Sequence, residues 1–481
     1  VVLSVGLSPS KDVAALSEKM GIELNEHKFA KTSCLSPVST NRDGIFVCGT
    51  FQEPKDIPHA VMEASAAAAA ATGNLSHARW SLTRSKEMPP EADVTGQKPR
   101  IGVFVCNCGI NIGGVADVPA IRDYARNLPH VIHVEDNLFA CSQDNQDHIK
   151  QIIREKNINR VVVASCSPRT HEPLFQETIR DAGLNKYLFE MANIRDHNTW
   201  VHMDNPEKAT EKAKDLVRMA VAKAIYSEPV HQVSLKISKA ALVIGGGISG
   251  MEAAVGIADQ GRMVYLVEKS MELGGNAKVL ETTWQGEKIG PYLGDLVTRV
   301  KHHPNIELFM ETKVTGTTGT MGNFSTTLTM LNGKGKEINI NHAVTVLATG
   351  GKEKTPEQYL YGEHPDVMTQ LDMDRAFTES DERLSRAKSV VFIQCVGSRV
   401  PERPYCSKVC CTHSLKSALL FKKKNPKTKV YILYRDIRSY GFREELYVQA
   451  REAGVIFIRY NLKNLPKVER LADDGLSVTF T

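Results

Sequence analysis

The run KAALVIGGGISGMEAAVGIADQGRMVYLVEK, Lys239 to Lys269, constrains the fold more than any other part of the chain. The apolar strand ALVI leads into Gly245-x-Gly247-x-x-Gly250, which opens a helix. Glu268 ends the next strand, VYLVE, 18 residues past Gly250. Each part has a physical task. The first glycine makes the tight turn, the second lets backbone approach a pyrophosphate, and the third packs helix against strand. The helix N-terminus offers free N–H groups and a positive dipole end, and the acid accepts from a ribose hydroxyl. Strand, glycines, helix and acid in this order require a βαβ unit of the dinucleotide-binding (Rossmann) type.

The residues after the acid select the dinucleotide. KSMELGGNAKV places Gly-Gly a few residues beyond Glu268, and VTVLATGG (Val344 to Gly351) closes the same domain. Both resemble the FAD domain of thioredoxin-reductase-type flavoproteins. The stretch ETKV, ending at Val314, matches the place where such proteins lay backbone against adenine. FAD is therefore expected at Gly245, Gly247, Gly250, Glu268, Gly275 and Asn276, with Val314 and Gly350 completing the site.

Flavoproteins of that type carry a second GxGxxG for NAD(P)H. The corresponding strand here, SVVFIQC, is followed by VGSRVPERPYC, which contains one glycine. The pyrophosphate cradle is missing, so NAD(P)H binding is not expected there. Cys395, Cys406, Cys410 and Cys411 stand in its place, four of the ten cysteines of the chain. Zinc favours paired CxxC knuckles, and none is present. A disulfide between the adjacent Cys410 and Cys411 would be strained, and a thioredoxin-like exchange centre would need a CxxC. Four thiolates at irregular spacing suit a [4Fe–4S] cluster. Four inert buried cysteines in one short segment are the bland alternative.

A second set lies upstream. Cys106 and Cys108 end the strand IGVFV, Cys166 ends RVVVAS, and Cys141 follows EDNLFA. Ligands of a doubly wound sheet bind outside the carboxyl ends of its strands, so Cys106, Cys108 and Cys166 converge by topology. A second cluster is expected there, with core cysteines as the alternative. Arg169 and His171, in CSPRTHE, could donate to its sulfurs or cap a helix.

The rest of the chain fits an α/β protein of several domains, as 481 residues suggest. Residues 1–75 read as the tail of an FAD-binding domain, with GIFVCGTF as a buried strand and the Ala-rich run after it as a packed helix. Cys34 and Cys48 fall here, Cys48 as a small core residue. Residues 76–98 read as a polar linker and residues 99–230 as a small doubly wound α/β domain with RIGVFVC, VIHVEDN and NRVVVASC as strands. Residues 238–350 form the Rossmann FAD domain, and residues 351–481 a second, incomplete dinucleotide-type α/β domain with a helix from about Ser414 to Lys424. A net charge of +5 with no basic stripe gives no case for nucleic acid. No run reaches the ~18 apolar residues of a membrane span. Clustered thiols point to a reducing cytoplasm. The abrupt start and strand-like end suggest an excerpt of a longer polypeptide.

VCNCGINIGGVADV, VVVASCSPRTHEPLF, FEMANIRDH, EKATEKAKDLVRMAVA, ALVIGGGISGMEAA and QCVGSRVPERPYCSKVCC closely resemble the A subunit of heterodisulfide reductase, almost continuously over residues 99–481. GIFVCGTFQEPKDIPHAVMEASAAAAAA resembles the C-terminal end of that family's FAD domain. The resemblance implies an FAD-centred, cytoplasmic electron-transfer oxidoreductase subunit with [4Fe–4S] clusters, one or two of them in this stretch. It implies heterodisulfide-reductase-like iron–sulfur subunits as partners, with hydrogenase or formate dehydrogenase modules in some cases, in a homodimer or hetero-oligomer. In methanogens the flavin is thought to bifurcate electrons between a disulfide and ferredoxin. By position, the family's non-ferredoxin cluster sites fall on the two cysteine sets, Cys395 to Cys411 being the closer match.

Three departures stand out. The stretch after Gly-Gly has no cysteine, as in the similar B subunit of the quinone-interacting membrane-bound oxidoreductase complex. No ferredoxin-type CxxCxxC run is present. A domain tail precedes the N-terminal domain, which suggests two family units fused in tandem; the alternative is a tail that folds back to complete the FAD site. No catalytic acid, base or nucleophile is identifiable. An NAD(P)H-dependent flavoprotein disulfide reductase would need the missing second fingerprint and a CxxC. A non-catalytic cluster-bearing scaffold or redox sensor would not need the intact glycines and Glu268.

Overall fold

A computed structural model describes residues 2–4, 6–332 and 335–480. The chain divides into two compact units, residues 82–235 and residues 1–81 together with 236–481. The architecture is α/β with parallel sheets, the expected class.

The first segment carries the helices α1 (Val13–Met20) and α2 (Ile57–Asn74). Asp56 caps α2 by accepting from His59 N, and proline occupies its first turn, where a missing N–H costs nothing. Lys55 and Glu63 form an ion pair with side chains 4% and 18% exposed, and Glu63 also accepts from Gly49 N at 3.0 Å. Two expectations fail here. GIFVCGTF makes only the isolated bridge Ser39↔Phe46 and a 3-10 turn, Gly49–Phe51. Val47 is buried but Cys48 is exposed. A strand needs a neighbour for its N–H and C=O groups, and this run's bonds are scattered over Val38, Thr40, Arg42, Ala30 and the Glu63 carboxylate instead of laddering along one partner. The Ala-rich helix has no buried residue, and Ile57, Val61 and Met62 are exposed.

In the unit of residues 82–235, strands β1 (Ile101–Cys106), β2 (Val131–Asn137), β3 (Arg160–Ser165) and β4 (Phe189–Asn193) form a parallel sheet in the order β2-β1-β3-β4. Every residue of β1 and β3 is buried, as their continuous apolar runs require. Helices α3 (Val118–Ala125) and α6 (Pro206–Ile225) pack together, as do α4 (Gln143–Glu155) and α5 (Pro168–Asp181), so the sheet is covered in two pairs. Strand β4 was not expected; FEMAN alternates polar and apolar residues and is short. The polar stretch 82–98 lies against this unit's sheet and helices. Val94 is buried in the core, Ala92 N donates to Gly183 O, and Lys86 pairs with Glu177 and Asp181.

In the other unit, β5 (Ala240–Ile244), β6 (Met263–Val267), β7 (Ile306–Phe309) and β11 (Val344–Leu347) form a parallel sheet in the order β11-β5-β6-β7. The antiparallel strands β8 (Thr312–Thr320), β9 (Asn323–Met330) and β10 (Glu337–His342) intervene in sequence. Helices α7 (Ile248–Ala258) and α8 (Ile289–His302) pack on one another. Helices α9 (Gln370–Thr378) and α10 (Glu382–Arg386) lead to a second parallel sheet, β12 (Ser389–Ile393), β13 (Lys429–Tyr434) and β14 (Ile456–Arg459), with helices α11 (Cys410–Lys424) and α12 (Glu444–Glu452). Helix α11 starts four residues before the expected Ser414, which puts Cys410 and Cys411 in its first turn.

The first segment joins this unit through named contacts. Helix α2 touches α7. His27 stacks on Phe442 at 5.1 Å, Phe29 meets the same ring edge-on at 5.5 Å, and Cys34 Sγ lies 3.2 Å from Gln285 Oε1.

Candidate functional site

The fingerprint turn is built as its glycines demand. Gly245 has φ +114°, and a Cβ there would lie 2.3 Å from Ala348 O. A Cβ on Gly250 would lie 1.8 Å from Gly245 O. Gly247 differs: φ is −76° and a Cβ would meet nothing within 4 Å. Its outward face is open at the N-terminus of α7, where N–H groups lack intrahelical partners. Gly274 N donates to Gly246 O at 2.8 Å, which seats the Gly-Gly turn against the fingerprint. Gly275 has φ +51°, with Gly247 Cα 3.6 Å from its Cβ position. Asn276 Nδ2 reaches Gly351 O at 3.2 Å, beside the open Gly350. Val314 sits at a register shift of β8, its side chain against the core that holds Leu242 and Val267. An open glycine, a helix N-terminus and converging loops fit a dinucleotide pyrophosphate.

Glu268 accepts from Gly246 N at 2.6 Å and from Ser270 N at 2.8 Å. Burial pushes its carboxyl up, but the hydrogen bonds from Gly246 and Ser270 outweigh it and hold the group below its ordinary 4.5. A depressed carboxyl stabilises the fold above its unfolded value, and that contribution fades as pH falls through the folded value. Glu268→Gln is therefore expected to release FAD at a lower temperature at neutral pH. The gap to wild type should close as pH drops below 4.5, measured by flavin fluorescence on heating at each pH.

The second parallel sheet presents the four-cysteine set at its carboxyl edge. Cys395 follows β12 with φ +61°, and Gly397, Arg399 and Lys408 also have positive φ. The loop coils back on itself. Lys408 N lies 3.3 Å from Cys406 Sγ, Arg399 Nη1 3.9 Å from Cys395 Sγ, and Cys411 Sγ 3.8 Å from Asp436 O. Cys411 is buried, Cys395 and Cys406 are half-buried, and Cys410 is exposed. Burial first, and then the charges of Cys395 and Cys406, raise the thiols of Cys410 and Cys411. Bound cationic iron would favour ionisation of the Cys410 and Cys411 thiols. Among the described residues no three thiols lie within 4.8 Å of one another; only the exposed Glu26, His27 and Glu445 form such a group. Tetrahedral zinc, with Zn–S near ~2.3 Å, would hold its sulfurs about 3.8 Å apart.

The cysteine loop adjoins the fingerprint domain. A Cβ on Gly397 would lie 3.2 Å from Lys354 Nζ, Glu353 acts electrostatically on Cys410, and Lys416 Nζ donates to Thr282 O at 3.0 Å. The Cys395–Cys411 loop thus touches the segment that continues from Gly350 and Gly351.

In the other unit, Cys106 and Cys166 are buried, Cys108 is half-buried and Cys141 is exposed. Burial pushes the Cys106 thiol up to about 12, and the charges of Cys108, Cys141 and Cys166 add to it. Cys141 lies in the loop after β2, whose carboxyl end is at the same sheet edge as those of β1 and β3. Buried side-chain atoms without hydrogen-bond partners crowd the same sheet edge: Asn137 Oδ1, Ser165 Oγ, both amide atoms of Asn193, and Arg195 Nε. Such groups cost about 1–3 kcal/mol each when unpaired. Ser165, Asn193 and Arg195 supply N–H and O–H donors of the kind that cluster sulfurs accept. Arg169 is exposed and His171 half-buried on the first turn of α5. Arg195 escaped the sequence reading because it sits on a π-turn, Arg195–Thr199, that local pattern does not announce. Arg399 escaped because VGSRVPERP reads as an ordinary loop.

Residues 241–353 match the family model for FAD dependent oxidoreductase. The A subunit of H(2):CoB-CoM heterodisulfide,ferredoxin reductase from Methanothermobacter marburgensis is 38% identical over 462 residues, 77% of this chain and 70% of that protein. The iron-sulfur A subunit of CoB–CoM heterodisulfide reductase from Methanocaldococcus jannaschii is 36% identical, over 75% of this chain and 69% of that protein. A protein of Archaeoglobus profundus described as like the heterodisulfide reductase A subunit is 32% identical, over 79% and 73%.

Proposed function

The chain belongs to the family of heterodisulfide reductase A subunits, and on that basis we propose how its residues divide the work of electron transfer. It is a flavin-dependent oxidoreductase subunit, and no helix among the described residues is long and apolar enough to cross a membrane. FAD is held by Gly245, Gly247, Gly250, Glu268, Gly275 and Asn276, with Val314 and Gly350 at the edge of the site. One [4Fe–4S] cluster is held by Cys395, Cys406, Cys410 and Cys411, and a second by Cys106, Cys108, Cys141 and Cys166. When bound, the flavin exchanges electrons in pairs or singly, and the clusters carry them one at a time.

The observation that carries this reading is the contact between the two sites. Asn276 holds Gly351, Lys354 reaches the Gly397 turn, and that turn leads back to Cys395. The positive end of α11 faces the thiolates of Cys410 and Cys411 and offsets part of their charge. Residues 1–81 close the flavin site in cis, the fold-back alternative, because they share a unit with the fingerprint and touch α7. Residues 82–235 form the iron–sulfur domain that hands electrons onward. Exposed Ile110, Leu138, Phe139, Trp200 and Val201 belong to the loops that carry or adjoin its cysteines, a surface suited to a partner. Partners are other heterodisulfide reductase subunits, with hydrogenase or formate dehydrogenase modules, in a cytoplasmic homodimer or hetero-oligomer. The Methanothermobacter relative's name joins hydrogen, a heterodisulfide and ferredoxin. Division of electrons between two acceptors is the role proposed for this flavin.

The test is anaerobic purification with iron, acid-labile sulfide and flavin quantified together. About eight irons and about one FAD per chain are expected, falling to about four irons with FAD retained in the Cys410→Ser/Cys411→Ser variant. Bound zinc, or flavin without iron, would overturn the reading.

A further inference from the structure

We propose that Arg399 sets the reduction potential of the cluster at Cys395, Cys406, Cys410 and Cys411, an inference that rests on the cluster reading above. Among the described residues it is the one side-chain cation whose N–H reaches a cysteine sulfur, Nη1 lying 3.9 Å from Cys395 Sγ. Its place is built from several directions. Arg399 takes φ +58° two residues after Gly397 at +55°, which coils the loop until the guanidinium returns to the cysteine that began it. Arg435 Nη1 donates to Ser398 O at 3.2 Å and to Arg399 O at 2.8 Å, pinning that backbone to the end of β13. Asp436 Oδ2 holds Arg399 Nη2 at 2.5 Å, and its other oxygen takes Arg459 Nη2 at 3.2 Å. The Arg399 side chain is 15% exposed, against 71% for Arg459.

The sign follows from charge. Four thiolates give a four-iron cluster net negative charge, and reduction adds one more. A poorly solvated cation hydrogen-bonded to a ligand sulfur favours the more negative state, so it raises the potential. Asp436 fixes the fork of the guanidinium and tempers its charge. Arg459, sharing that carboxylate from the solvent side, contributes little because water screens it.

The experiment uses the whole protein, purified anaerobically, with the cluster followed by EPR during a redox titration. The signal is assigned by its loss in Cys410→Ser/Cys411→Ser. Arg399→Gln is expected to keep its iron and to lower the equilibrium constant for one-electron reduction about tenfold, about 59 mV. Arg399→Lys should lower it less, and Arg459→Gln should leave it in place. An unchanged potential in an Arg399→Gln protein that keeps its iron overturns the inference, as does a fall in Arg399→Lys as large as in Arg399→Gln. So does loss of iron from both, which would make Arg399 a structural anchor. Failure of the cluster reading looks different: no iron then leaves with Cys410 and Cys411.

Discussion

A Gly247→Ala chain is expected to fold as wild type does and to bind FAD at least tenfold more weakly, about 1.4 kcal/mol or more of binding free energy. The neighbouring glycines explain why this position separates binding from folding. A methyl group on Gly245 or Gly250 would collide with backbone oxygen, at 2.3 Å and 1.8 Å, so those substitutions must move the turn itself. On Gly247 a methyl group meets nothing within 4 Å. It enters only the space above the first turn of α7, where a pyrophosphate needs close backbone approach. Thermal unfolding of the flavin-free protein should therefore be unchanged for Gly247→Ala and lowered for Gly250→Ala. Fluorescence titration with FAD supplies the affinity. Normal FAD affinity in Gly247→Ala would mean that the flavin does not lie over this turn.

Phe29→Ala is expected to destabilise the flavin-bearing unit by about 3–5 kcal/mol, the usual cost of emptying a buried phenylalanine site. Phe29 is 4% exposed and lies against Phe442, whose ring also stacks on His27. Phe442 follows β13 and precedes α12, far from Phe29 in sequence, so the pair reports whether residues 1–81 hold to the rest of their unit. The temperature of FAD release should fall in Phe29→Ala and in Phe442→Ala. The double variant should cost less than the two single losses added, by about 0.5–1.5 kcal/mol, as for aromatic pairs in contact. Additive losses would show that the first segment is an independent appendage, and the flavin site would then need its missing wall from elsewhere.

The fingerprint turn was legible in advance because its motif is contiguous. Gly245, Gly247 and Gly250 lie within six residues, although the clash that requires Gly245 comes from the distant Ala348 O, and Glu268 lies one strand away in the same βαβ unit. The cysteine sets were half legible. Strand ends in a doubly wound sheet share an edge, which gathered Cys106, Cys108 and Cys166, while Cys141 reaches that edge from the loop after β2. GIFVCGTF carried a strand pattern but found no neighbour to pair with, so its apolar run ended as a bridge and a turn.

Short contiguous patterns were enough to specify the dinucleotide turn, the alternation of strand and helix, and the family. Long-range packing was needed to place residues 1–81 beside the fingerprint domain and residues 82–98 against the sheet and helices of their own unit. It was needed as well to bring Lys354 to Gly397 and to return Arg399 to Cys395. These contacts depend on which loops meet at a sheet edge and on residues held at positive φ, and local propensity encodes neither.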